Sequence, residues 1–209
     1  MSVDIAYPVF RTSDRALALS TARRLVEYGR RECSEVSVYG EFGTVAEARR
    51  VAARWPEGWF RGQRRTGSRS GRSSRPAGWA DGALGSDLPV EPGAYEGQLP
   101  VRFDLDDLAV GSVEEAFVRT IGTNTGMVHW HSLAWPEAIE LGFDGDEKHA
   151  EVMLLLNTGS RELDVPDDGD RVLLHLRSTV IDGEQTREPY AHWLAAQAGL
   201  GIIGPGQPS

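Results

Sequence analysis

Cys33 is the only cysteine in 209 residues, so no internal disulfide and no multi-cysteine zinc or iron–sulfur site can hold this chain together, and packing must do so. Lysine is as scarce: Lys148 is the only one and the other bases are arginines. That excludes a G-x-x-x-x-G-K-[ST] phosphate loop, and the setting DEKHA offers Lys148 no apolar Schiff-base environment. A G-x-S-x-G elbow, an H-E-x-x-H helix and a G-x-G-x-x-G turn after a strand are also missing. No stretch approaches 18 consecutive apolar residues, and MSVDIAYPVF has neither the basic start nor the apolar run of an export signal. A membrane span is therefore not expected, and the cytoplasm is the expected compartment.

The hydrophobic content of 40% and charged content of 25% describe a soluble globular chain with material for a real core. The net charge of -9 is unevenly spread. Residues 1–60 carry 9 Arg against 8 acids, residues 61–75 carry 6 Arg and no acid, and residues 76–209 carry 7 bases against 23 acids. A segment that acidic repels a phosphate backbone, which disfavours duplex nucleic acid and favours a basic protein surface or a hard cation.

Residues 1–60 read as a β-α-β-α unit. VDIAYPVF is a short strand interrupted by Pro8. Ser13 is placed to cap a helix whose stripe is Ala18, Ala22, Leu25 and Val26, ending near Gly29. Val36, Val38, Gly40 and Phe42 alternate as in a strand. Thr44 and Glu47 form a T-x-x-E capping box, with the Glu47 carboxylate expected on the Thr44 amide, for a helix that buries Ala48, Val51, Ala52 and Trp55. Residues 61–97, rich in Arg, Ser, Gly and Pro, lack apolar periodicity and read as a flexible linker or long loop.

Residues 98–199 read as an acidic antiparallel sheet with flanking helices. Val101 and Phe103 begin a strand, Ser112 and Glu115 suggest a second capping box, and strands are expected at Met127–Trp135, Ile139–Phe143, Glu151–Asn157 and Arg171–Val180. The last two are joined through DVPDDGD, and a helix is expected at Arg187–Ala198. Residues 200–209 read as a disordered tail. The fold class is α+β.

The strongest chemical signal is Val128-His129-Trp130-His131, because residues i and i+2 of a strand share a face and two imidazoles there can share a metal. A third ligand would come from His149, Glu151 or His175, leaving a position for water on one divalent ion. Without that ion no cofactor is expected. The clusters Asp104-Asp106-Asp107, Asp144-Asp146-Glu147 and Asp164-Asp167-Asp168-Asp170 have the oxygen chemistry of a Ca²⁺ or Mg²⁺ site or of a surface for a basic partner, and also the composition of turns. Trp130 and Trp135, with Tyr190 and Trp193, are candidates for an aromatic sugar- or protein-binding platform.

The stretch EVMLLLNTGSRELDVPDDGDRVLLHLRSTVIDGE, followed by YAHWL, resembles the C-terminal β-domain of α-amylase-superfamily glucosidases and debranching enzymes over about residues 151–194. The resemblance implies an ancillary antiparallel domain and carries over no catalytic residue. Three functions follow. The leading expectation is a non-enzymatic, inhibitor- or immunity-like protein whose acidic surface engages a basic protein. A metal-assisted hydrolase centred on His129 and His131 is the alternative, and an accessory carbohydrate-binding domain is the third.

Overall fold

The computed structural model describes residues 2–62, 99–145, 150–181, 184–185 and 187–208. In chain order its elements are β1 (Ser2–Thr12), α1 (Arg15–Gly29), β2 (Glu35–Phe42), α2 (Val45–Arg54), β3 (Trp59–Gly62), β4 (Val101–Ala109) and α3 (Glu114–Thr120). Then come β5 (Gly126–His131), a 3-10 turn (Ile139–Leu141), β6 (Glu151–Leu156), β7 (Asp170–Ile181), β8 (Glu184–Gln185), α4 (Glu188–Gln197) and β9 (Gln207–Pro208). The fold is α+β, built on an antiparallel sheet. The chain divides into two compact units, residues 1–38 with 107–209, and residues 39–106.

In the first unit the strand order is β2-β5-β6-β7-β1-β9, with β8 beside β7. Its centre is the β6–β7 hairpin, closed by the acidic turn, in which Leu154 lies opposite Val172 and Val152 opposite Leu174. Val152 through Leu156 are all buried, so both faces of β6 are covered, as the unbroken apolar run requires. Helix α1 packs on β1, β6 and β7 through the stripe that includes Ala18, Ala22, Leu25 and Val26. Each large aliphatic side chain buried here contributes about 1.5–3 kcal/mol.

Several local expectations need correction. The cap of α1 is Asp14, one residue beyond Ser13: its carboxylate accepts the Leu17 amide at 3.0 Å. The Ser112/Glu115 box does not form, because the neighbouring acid takes the role: Glu114 accepts the amides of Gly111 at 2.7 Å and Val113 at 3.1 Å. Ile139–Phe143 is no strand but a 3-10 turn reversed at Gly142, whose φ of +64° suits a residue without Cβ. The tail is not loose over its described residues. Ile203 donates its amide to the Pro8 carbonyl at 2.8 Å, and β9 pairs with Ile5 and Ala6 of β1. The Gly199-x-Gly201-x-x-Gly204 pattern in that tail follows a helix: Gly199 (φ +69°) and Leu200 return their amides to Ala196 and Ala195, closing α4.

In the second unit the order is β3-β4-β2, and Phe60 meets Phe103 at 5.0 Å between ring centroids. Thr44 caps α2, accepting the Glu47 amide at 3.3 Å. The Glu47 carboxylate accepts the Thr44 hydroxyl at 2.7 Å. Of the segment 61–97, only the first two residues fall among those described. Among the described residues no helix is long and apolar enough to cross a membrane.

Candidate functional site

The alternation of β5 settles where its side chains go. Val128 and Trp130 are fully buried, while His129 and His131 are only partly covered, with ring centroids 5.3 Å apart. The two imidazoles nevertheless serve different partners.

His129 Nε2 lies 3.0 Å from Glu151 Oε2, and His175 Nδ1 lies 3.5 Å from the same oxygen. Glu151 and His175 are register partners across β6 and β7, which brings them together. Burial works against the charge of Glu151, but the hydrogen bond to His129, with the charges of His129, His175 and Arg161, brings its carboxyl below its ordinary value. His129 and His175 thus meet on one carboxylate. His149 lies outside the described residues.

His131 faces β2 and the end of β4. Its Nε2 is 3.2 Å from Ser37 Oγ and 3.5 Å from Asp107 Oδ1, and its Nδ1 is 3.9 Å from Glu35 Oε2. One ligand atom from each of Glu35, Asp107 and His131 falls within 4.8 Å of the others. Glu35 and Ser37 share a face of β2 by the same i, i+2 rule. Asp107 sits in the left-handed region (φ +56°), which aspartate tolerates better than most residues, and Ser37 Oγ accepts its amide at 3.1 Å. Ser37, His131 and the two acids have the composition of a nucleophile triad. Ser37 is 1% exposed and its oxygen holds the Asp107 amide, which makes it a positioning group for Asp107 and His131.

A cleft of about 720 Å³ opens beside this cluster, lined by Arg30 to Glu35 and by Asp107 to Val110. With metal–ligand bonds near ~2.1 Å, donors on one ion stand no more than about 4.2 Å apart. The cluster therefore needs only a small contraction, and the side chains of Asp107 (69% exposed) and Glu35 (44%) are free enough to make it. One imidazole nitrogen and two carboxylates suit Mn²⁺ or Zn²⁺ and leave positions for water.

The other expected residues are placed differently. Trp130 and Trp135 are buried and offer no face to a ligand; their indole N–H groups donate to Glu114 at 3.0 Å and to the His175 carbonyl at 2.8 Å. Tyr190 is also buried, stacked on the half-buried Trp193. Asp167 takes Arg11 at 2.6 Å and Arg171, Asp168 takes Arg11 at 2.9 Å, and Asp170 takes Arg15 at 3.4 Å and the Asn157 amide at 3.1 Å. Those three acids staple the β6–β7 turn to β1 and α1. Asp144 and Asp164 are exposed, and Asp146 and Glu147 lie outside the described residues. Asp104 is buried against Arg102 at 3.1 Å, away from Asp107 in role as well as in environment.

Glu35 is the residue that sequence reasoning missed. It opens a strand two residues before a serine, a weak signal, and only the β2–β5 pairing brings it to His131. Asp107 was visible as one acid of three, with nothing to single it out. No family model matches the chain, and neither does any curated protein or solved structure.

Proposed function

We propose that this protein binds a divalent cation through Glu35, Asp107 and His131 and uses it in metal-assisted hydrolysis of a small substrate in the adjoining cleft. The observation that carries this reading is the convergence of two carboxylates and an imidazole, ligand atoms within 4.8 Å, with both carboxylates on the wall of an open cleft. Three protein ligands leave room for a water whose pKa the ion lowers, which is the requirement for hydrolysis at neutral pH. The histidine pair expected from sequence contributes one member to this site, His131.

Calorimetric titration of the metal-free protein with Mn²⁺ or Zn²⁺ tests it. One site is expected, weakened at least about tenfold by Glu35→Gln, Asp107→Asn or His131→Ala and retained in His129→Ala. Equal binding by all four variants and the wild type would refute the assignment.

A second reading, an acidic surface that docks a basic protein, is favoured by the exposed Asp144 and Asp164 and by the acid excess of residues 76–209. It requires a partner whose affinity falls steeply as salt rises from low to physiological strength.

A further inference from the structure

We infer that the cleft takes a phosphate monoester, its phosphoryl group held between the bound cation and the guanidinium groups of Arg30 and Arg31. This inference rests on the cation site proposed above and names the substrate class of that site.

The warrant is the charge pattern of the cleft wall. Arg30 and Arg31 line the same space as Glu32, Glu35 and Asp107. Among the described residues of this wall, two cations stand against three anions, an excess of negative charge that repels a phosphate. A divalent ion on Glu35, Asp107 and His131 reverses that sign, so the anion is attracted only once the cation is in place. One phosphoryl oxygen would then meet the ion and the others the guanidinium groups that Arg30 and Arg31 bring to the wall, whose planar geometry matches phosphate and which would exchange their present partners for it. Arg30 presently lies 3.2 Å from Glu27, but both side chains are about half exposed or more, and a solvated pair of this kind yields readily to a dianion. Leu108, Ala109 and Val110 supply an apolar wall for the rest of the ester, and about 720 Å³ accommodates a small molecule.

The reaction is a displacement at phosphorus. A water polarised by the ion forms a new P–O bond, the bond from phosphorus to the ester oxygen breaks, and the alcohol leaves with the proton the water gives up. Products are inorganic phosphate and the alcohol, and no oxidant or second substrate is needed.

The test uses inorganic phosphate as probe and Mn²⁺ as cation, with the full chain free of any histidine tag. Phosphate affinity is measured with and without Mn²⁺ for the wild type, Arg30→Ala and Arg31→Ala, and Mn²⁺ affinity is measured on the same samples. The expected result is phosphate binding that requires Mn²⁺ and weakens about tenfold in each arginine variant, while Mn²⁺ is held at least as tightly. Arg30→Ala is the decisive variant because its side chain is about half exposed and its pair with Glu27 lies at the surface, and the Mn²⁺ affinity of the same sample reports that the site remains folded. Linkage adds a reciprocal check: phosphate must tighten Mn²⁺ by the factor by which Mn²⁺ tightens phosphate. If Mn²⁺ binds and phosphate does not, or if Arg30→Ala and Arg31→Ala bind phosphate like the wild type, the substrate class is overturned and the cation site stands. If Mn²⁺ itself fails to bind, both fall together.

Discussion

At the scale of single residues, acids that look alike in sequence do different work. Asp167 faces Arg171 and Arg11, and although burial opposes ionisation, the hydrogen bonds from these two arginines hold its carboxyl well below the usual carboxylate range. A carboxylate depressed in the folded state adds stability that is complete above its unfolded value, near 3.8, and is lost as pH falls toward the folded one. Unfolding midpoints in urea should therefore drop between about pH 5 and pH 2, and Asp167→Asn should flatten that slope while lowering stability at neutral pH. A variant with an unchanged slope would contradict the ion-pair account. Glu114 is buried and accepts from two backbone amides and the Trp130 indole. Glu114→Ala strands these donors at a cost of about 2–4 kcal/mol, readable by thermal unfolding. Little of this could be read from sequence. The i, i+2 spacing of His129 and His131 gave their common face, but which carboxylate each one meets depends on strands far away in the chain.

Among the elements, those with strong local signals were legible: the stripe of α1, the apolar run of β6 and the acidic hairpin turn all carry their own periodicity or turn chemistry. Elements held by distant partners were not. Ile139–Phe143 has the apolar ends of a strand, yet Gly142 turns it back, and Ile139 is left 78% exposed. The tail has no periodicity at all and is fixed by the edge of β1. A Cβ on Gly206 would lie 2.6 Å from both Ile5 and Tyr7, so no side chain fits there without displacing the strand or the tail. Gly206→Val should release residues 203–208, speed amide exchange at Ile203 at least about tenfold and destabilise the protein by about 1–3 kcal/mol. Unchanged exchange would show that the tail does not depend on this contact. Burial, with the nearby charge of Glu188 adding to it, pushes the Tyr7 phenol up to about 12, as expected for a side chain enclosed at this edge.

For the molecule as a whole, net charge and charge placement carry different information. The acid excess of residues 76–209 suggested a patch for a basic partner, but Asp167, Asp168 and Asp170 are engaged by Arg11, Arg15 and Arg171. The pair that matters most for the proposed chemistry comes from opposite parts of the chain, Glu35 near the start and Asp107 past its middle. Composition treats such residues as interchangeable with every other acid, and only strand order distinguishes them.

The most direct test of the cation site is the metal content of tag-free protein after equilibration with Mn²⁺ or Zn²⁺ and removal of loosely held ions, measured by inductively coupled plasma mass spectrometry beside His131→Ala and Asp107→Asn. The account predicts about one ion per chain in the wild type and a clear loss in both variants. Folded wild-type protein that emerges free of metal, or variants that retain as much as the wild type, would contradict it.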